Sequence, residues 1–481
     1  MRRVSRHCLA LAALGLALGG PGAGAGAATA RWTPAQLLRL PPSGTSVPQG
    51  YLPALACPVA GECVAAGNYV DGSFHTRGMT VSEVRGVWRP AVPIAAPGDA
   101  GVVPGMTPAA AACGAAGACV VVGSYTDAAG DVQAFVERES RHVWGRATRV
   151  ALPSDAAGTN QVAGLRAVGC SSATTCVAAG SYTTGASGAA VVGLVVTIRA
   201  ASVSSSEVDA PVAANVNPYL SLTQVACPRS APCLAAGTFV DQDNATRGVA
   251  VWSDATSSPA VIAAPTNASA YPATTVGSLA CTGASSCVLV GTYETAGSER
   301  QGFVVASARG AWPASTELVM PGGAAENPRV FSYDFAALAC SAKGECATGG
   351  QYVDAAGLHQ GFLATEVRGV WRAATELALP GGAQQAGANG GVVAVTCPAT
   401  GRCRAGAAYL DARGRYQAYV VAEAGTRWSL GTTLSLPPGA GSVGVDGGVY
   451  GLVCATPSRC SATGSYLDAQ GYYQGFAASL R

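Results

Sequence analysis

The sequence predicts an all-β fold: an eight-bladed β-propeller of four-stranded antiparallel blades, closed by the N-terminal strand. Three observations carry this. A cysteine pair recurs eight times along the chain, a strand-and-turn pattern recurs in phase with it, and the two chain ends complete one another.

The cysteines set the period. Of the 17 Cys, Cys8 lies in the first thirty residues and sixteen remain. These form eight C-x5-C pairs: Cys57/Cys63, Cys113/Cys119, Cys170/Cys176, Cys227/Cys233, Cys281/Cys287, Cys340/Cys346, Cys397/Cys403 and Cys454/Cys460. Successive first cysteines lie 56, 57, 57, 54, 59, 57 and 57 residues apart. Self-similarity at such a period marks a repeat architecture. An even set of paired cysteines in an exported chain reads as disulfides. The competing reading, zinc thiolates, calls for closer spacings and four ligands per ion, and His is nearly absent. Each local bridge closes a small hairpin loop, contributing about 2 kcal/mol in the chain-entropy treatment.

Each repeat reads as one blade. In residues 335–380, an apolar run over 335–340 is the first strand, residues 341–345 turn, and 346–353 is the second strand. Asp354-Ala-Ala-Gly357 turns again, because Asp and Gly favour turns. Residues 360–367 form the third strand, Arg368-Gly369 turn, and 370–377 form the fourth. A Gly-rich connection beginning at Pro380 leads onward. One such sheet leaves two apolar faces uncovered, and stacking blades around an axis covers them. The small residues Ala65-Ala66-Gly67 of a second strand are expected to let adjacent sheets approach closely.

The ends argue for a ring. The last repeat stops at Arg481 after its third strand, and Arg31-Trp32-Thr33-Pro34 matches fourth strands such as Ala311-Trp312-Pro313-Ala314. The N-terminal strand is therefore expected to complete the last blade, removing exposed sheet edges. Trp88, Trp144, Trp312, Trp371 and Trp428 each stand 31 residues after a first Cys, whereas Trp252 is off phase. A solenoid of the same blades calls for polar capping ends, which the sequence lacks.

Residues 1–30 read as a signal peptide. Arg2, Arg3, Arg6 and His7 precede an apolar run over 8–18, too short to span a bilayer, and Ala28-Thr29-Ala30 offers a cleavage site. An uncleaved anchor is the alternative. Arg2-Arg3 leaves both the general secretory and the twin-arginine routes open. Residues 31–481 then form a single propeller, expected to be secreted or held in the cell envelope, monomeric and without a membrane span. The formal charge is +2 and only 12% of residues are charged, so composition gives no basic face for nucleic acid.

Cys57-Pro-Val-Ala-Gly-Glu-Cys63-Val-Ala-Ala-Gly67, followed by Arg85-Gly-Val-Trp88, resembles secreted bacterial propeller repeats of the degenerate Asp-box (BNR-like, sialidase-type) group. Arg309-Gly-Ala-Trp312 and Arg368-Gly-Val-Trp371 stand at the corresponding turn. The Asp of the Asp-box is missing in all three. The arginine cluster, Tyr–Glu pair and acid/base Asp of active sialidases do not map residue by residue. The resemblance therefore implies architecture only.

The candidate ligand face carries Y-x-D-x-x-G turns. Asp71, Asp127, Asp241, Asp354, Asp411 and Asp468 each lie fourteen residues after a first Cys, with Thr184 and Thr295 in the other two repeats. A ring of Asp suits a cation or a polar ligand; an Asx-turn, in which Asp caps its own backbone, is the structural reading. Asp241-Gln-Asp243-Asn244 alternates like a calcium loop but lacks its Gly and distal Glu. No other metal or cofactor is expected. His75 and His359 are read as turn residues. Gln133, Gln301, Gln360, Gln417 and Gln474 are read as cross-strand hydrogen bonders. No catalytic motif is present. The expected function is a non-enzymatic extracellular binding or scaffold protein for a carbohydrate or an envelope or protein partner. The alternative is a carbohydrate-active glycosidase or lyase, which needs paired carboxylates on the axis, with Glu294 the first place to look.

Overall fold

The computed structural model describes residues 30–481 apart from 45–48, 186–187, 230, 255–257, 309–310, 323, 325–334, 336, 382, 384–390 and 443–447. The signal segment and Arg309-Gly310 thus lie outside the described residues. The chain forms eight antiparallel sheets, one per cysteine repeat, numbered here as blades 1–8. In blade 1 the strands are Gly50–Val59, Glu62–Val70, Thr76–Val84, and a fourth in two pieces, Val87–Trp88 and Val92–Pro93. The first strand of each blade lies beside that of the next, and blade 8 returns to blade 1.

Burial explains the ring. Eight apolar clusters fill the eight seams, each drawing side chains from two adjacent blades. Between blades 8 and 1 the cluster holds Leu38, Leu52, Tyr69, Met79 and Ala477. Neither blade can bury this face alone, so each seam stabilises both neighbours.

The N-terminal strand closes blade 8. Gln36 pairs with Ala477 and Leu37 with Phe476. The Thr33 amide donates to Ser479 O at 2.8 Å, and Arg31 and Arg481 exchange backbone bonds at 2.9 and 3.1 Å.

Two details differ from the sequence reading. The fourth strand of blade 6 is not continuous over 370–377 but splits into Val370–Trp371 and Thr375–Glu376. At the break, the Ala374 amide turns away and donates to Val319 O of blade 5 at 2.8 Å. Ala35, Ala91, Ala147, Ser315 and Gly431 make the same bond to the preceding blade, giving the ring an outer belt. The second correction concerns Gly67. It serves a close approach within its own blade, not between sheets. A Cβ there would lie 1.8 Å from Tyr51 O, and 1.8–2.1 Å from the matching carbonyl at Gly123, Gly180, Gly237, Gly291 and Gly464. First-strand bulges beside these glycines push the carbonyl inward.

The cysteines pair as their spacing predicts. Disulfides join Cys57 to Cys63, Cys113 to Cys119, Cys170 to Cys176, Cys227 to Cys233, Cys281 to Cys287, Cys340 to Cys346, Cys397 to Cys403 and Cys454 to Cys460, with Cα atoms 3.9–4.1 Å apart. They staple the first hairpin of every blade, but the two members of a pair are not equivalent. The second cysteines, Cys63, Cys119, Cys176, Cys233, Cys287, Cys346, Cys403 and Cys460, are only 1–4% exposed. All of these but Cys403 belong to the apolar clusters at the seams. The first cysteines are half-buried, except Cys454, which is buried. The spacing reads each bridge as closing one loop, yet its inner sulfur also packs against a neighbouring blade. The cause is strand alternation: the second cysteine points into the seam from a strand covered on both sides. Among the described residues, no helix is long and apolar enough to cross a membrane.

Candidate functional site

Strand direction assigns the turns to two faces. The first-to-second turn bonds the third-to-fourth turn, as Gly86 N to Gly61 O and Gly369 N to Gly344 O show. These turns and the disulfides form one face. The second-to-third turns meet the inter-blade connections on the other, as when Gly101 N donates to Thr126 O. The cysteines are therefore set apart from the candidate ligand face. Cys119, Cys176, Cys233, Cys287 and Cys346, like the other second cysteines, are oxidised, buried structural residues that offer a ligand no free thiol.

All six predicted Asp residues lie on this second face, one per blade, and each carboxylate is occupied within its own hairpin. Asp354 Oδ1 accepts from the amides of Ala356 and Leu358, both at 2.9 Å, and Oδ2 from Gln360 Nε2 at 2.9 Å. Asp127 and Asp468 repeat this with Gln133 and Gln474. Asp411 uses Gln417 together with Arg415. In blades 1 and 4 an arginine replaces the glutamine: Arg77 Nε lies 2.7 Å from Asp71, and Arg247 Nε 2.7 Å from Asp241. In blade 5 Thr295 Oγ1 stands in, accepting from Glu299 N at 3.2 Å. The hydrogen bond from Arg77 and the local amides hold Asp71 down at about 2. Burial pushes Asp241, Asp354, Asp411 and Asp468 up, but their donors outweigh it and leave all four below the usual carboxylate range. Such carboxylates lock turns and have little left for a ligand.

Two residues before the turn position stands a tyrosine in every blade but the fourth, which has Phe239, and in blades 2, 3 and 5 it ties the turn to the inter-blade connection. Tyr125 donates to Asp99 at 2.8 Å, Tyr182 to Asp155 at 2.9 Å and Tyr293 to Asn267 at 2.8 Å. Each acceptor is the third residue of a Pro-x-x-Ala turn in the inter-blade connection, closed by bonds such as Ala156 N to Pro153 O. The Pro-x-x-Ala or Pro-x-x-Gly spacing recurs in every connection, from Pro41 to Pro437, and is legible in the sequence once aligned.

One departure from the repeat stands at the seam of blades 8 and 1. A cleft of about 300 Å³ opens there, lined by Gln49, Tyr51, Asn68, Tyr69, Thr76 and Tyr473. Tyr51 pairs across the strands with Asn68, is 43% exposed, and meets Tyr450 edge-on at 5.1 Å. Its position, six residues before the first Cys, holds Thr107, Gly164, Ser221, Thr275, Asp334, Gly391 or Gly448 in the other repeats. No predicted site residue lines this cleft. Its signal in the sequence is a bulky aromatic where the repeat is otherwise small.

Among the described residues, acidic side chains lie elsewhere than on the innermost strands: the first strands carry no Asp or Glu, and Glu294 ends a second strand, beside Arg300. No group of three His, Cys, Asp or Glu able to hold a metal occurs among them. Instead, Glu83, Glu139, Glu366 and Glu423 recur twenty residues after the second cysteine and sit buried beside it. Glu423 accepts from Cys403 N at 3.1 Å; Glu83 accepts from Ser461 Oγ of blade 8 at 3.0 Å. Burial pushes all four up. Glu137 breaks even this pattern and is pushed to about 8 by burial alone.

No protein-family model matches the chain, and no curated protein matches it. Among solved structures, a protein of unknown function from Dyadobacter fermentans aligns with TM-score 0.41 at 11% identity, over 94% of this chain and 99% of that one. The WD40 domain of SCAP from fission yeast gives 0.44 at 7%, covering 94% of each chain. A fucose-specific lectin from Aleuria aurantia gives 0.34 at 13%, over 68% of this chain and 97% of that one.

Proposed function

We propose that the protein is an exported, non-enzymatic carbohydrate-binding propeller, acting as a monomer, whose ligand meets the face bearing the second-to-third turns. The observation that carries this is the Tyr51 cleft. A sugar ring offers an apolar C–H face and a rim of hydroxyls. A half-exposed aromatic beside an amide and further hydroxyls, from Asn68, Thr76 and Tyr473, suits both. The six Asp residues frame this face as turn anchors. Export rests on removal of residues 1–30, and the eight disulfides fit an oxidising compartment. The Arg-Gly-Val-Trp turns support a place beside the Asp-box propellers.

A broad glycan array, probed with residues 31–481 and read in parallel for hydrolysis, tests this. Binding that Tyr51→Ala or Asn68→Ala abolishes, without product release, is the expected result. Product release, or binding indifferent to both substitutions, overturns it.

A further inference from the structure

The near-zero net charge conceals a division between the two faces. Six of the eight ion pairs among the described residues, such as Arg77–Asp71, Arg149–Asp99 and Arg247–Asp241, lie on the turn face, where arginine and carboxylate cancel. The disulfide face has only His142–Glu62 and Arg481–Glu83. Yet its third-to-fourth turns carry exposed Arg85, Arg141, Arg199, Arg368 and Arg427, and its first-to-second turns add Arg402 and Arg459. None of these seven ion-pairs with an acid among the described residues. Three acids share these turns. Glu62 and Glu345 are half-buried and accept from the backbone amides of Arg85 and Arg368, at 3.1 and 3.2 Å. Asp254 is exposed, in blade 4.

Clefts open on this face at the seams. One, of about 560 Å³, separates blades 2 and 3 and is lined by Arg138, Arg141, Arg199, Thr174 and the buried Glu139 above a floor of small residues, Ala115 to Ala118. Arg138 Nη1 donates to Arg199 O at 2.7 Å and Ala200 O at 3.1 Å, which fixes the neighbouring turn. A second cleft, between blades 8 and 1, holds Arg85, Arg459 and Arg481 with Glu83, whereas a third, between blades 6 and 7, holds Arg368 with Glu345, Glu366 and Glu423.

We propose that the disulfide face is a second binding surface, for an anionic polysaccharide, with the cleft between blades 2 and 3 as its deepest site. The guanidinium fork matches carboxylate and sulfate groups. Arginine outnumbers carboxylate in two separate clefts, which favours a charged polymer over a single ion. The clefts favour a chain of sugar rings over a flat lipid surface, which cannot enter them. The choice of a polysaccharide rests on the carbohydrate reading above, but this surface lies opposite the Tyr51 cleft, so the two fail separately.

The test is affinity electrophoresis of residues 31–481 in polygalacturonate and in neutral dextran, at about 20 and about 300 mM salt. Phosphatidylglycerol vesicles and a single-stranded DNA oligonucleotide run as comparison probes. Retention by polygalacturonate alone is expected, weakened about tenfold or more by salt and about tenfold by Arg141→Ser with Arg199→Ser. Arg141→Glu with Arg199→Glu is expected to abolish it, with melting curves confirming the fold, while Tyr51→Ala leaves it unchanged. Retention indifferent to the arginine pairs, equal retention by dextran, or tighter binding to vesicles or DNA overturns the proposal.

Discussion

Replacing Glu137 by valine perturbs one group whose surroundings define its cost. Glu137 sits on the third strand of blade 2, opposite Val121, and is 1% exposed. The matching residues of the other blades are Val81, Val196, Val251, Val305, Ala364, Val421 and Ala478, all apolar. Its Oε2 has no hydrogen-bond partner, and burial raises its carboxyl from the ordinary 4.5 to about 8. A folded-state value above the unfolded one means that the native state holds the proton longer. The carboxyl therefore costs nothing electrostatic below about pH 4.5, and stability falls as pH rises from there to about 8. At about 1.4 kcal/mol per pH unit the full loss is on the order of 4–5 kcal/mol. For a chain of roughly 450 residues, with an unfolding entropy of about 0.9 kcal/mol per kelvin, that is a melting shift of about 5 °C. Glu137→Val is expected to melt about 5 °C higher than the wild type near pH 9 and to differ less near pH 5. Glu137→Gln is expected to remove the pH dependence without the full apolar gain. Differential scanning calorimetry at a fixed scan rate across about pH 5 to 9 makes the measurement. A wild-type and Glu137→Gln difference that stays constant across that range refutes the reasoning.

Other perturbations test other parts of the ring. Gly237→Ala places a Cβ 1.9 Å from Ser221 O, and loss of protease resistance in blade 4 is expected; an unchanged digestion pattern contradicts the bulge argument. Asp468→Ala strands the amides of Gln470 and Tyr472 and the Gln474 side chain, costing about 1–3 kcal/mol by thermal melting, whereas Asp468→Asn retains most of the stability. Asp71, held at about 2, stabilises the fold above the ordinary carboxylate range, and that contribution is lost as pH falls towards 2. Asp71→Asn should therefore flatten the acid limb of the melting profile. Thiol titration of denatured residues 31–481 should find no more than two free thiols before reduction and sixteen afterwards.

The fold was legible because every blade repeats its covalent and turn chemistry. Cys57 and Cys63, the Asp71 turn and Trp88 mark three of four strand boundaries, and periodic residues report backbone geometry. What the period could not show was which contacts lie between blades. Gly67 looks like a packing residue in the sequence, yet the atom it avoids is a carbonyl of its own first strand. Cys119 and Cys176 look like loop staples, yet each also fills a seam. The fourth strand reads as continuous, yet Ala374 is drawn to Val319 by a bond the local pattern does not encode. The candidate site was harder still. The recurring Asp drew attention because it recurs, and recurrence is what a turn anchor requires in every blade. Tyr51 carries the opposite signature, a single aromatic in a column of Thr, Ser, Gly and Asp.

The charge of the molecule follows the same logic from the other side. A net charge of +2 excludes a uniformly basic surface, but not one basic face. On the turn face, Asp71 and Arg77 or Asp241 and Arg247 lie six residues apart across one hairpin and neutralise each other. On the disulfide face Glu83, Glu139, Glu366 and Glu423 line the same clefts as the arginines but are buried, and desolvation favours their neutral form. A carboxylate counted in the total therefore contributes little to the field outside, while Arg141 and Arg199 remain at the surface. The potential a ligand meets is set by where the acids are buried, so an anionic ligand should bind this chain more tightly as pH falls over the range in which these glutamates take up protons, with the neutral-sugar cleft on the opposite face unaffected. Salt-matched binding of polygalacturonate across that range measures it, and an affinity that rises with pH would show that the buried glutamates do not govern the field.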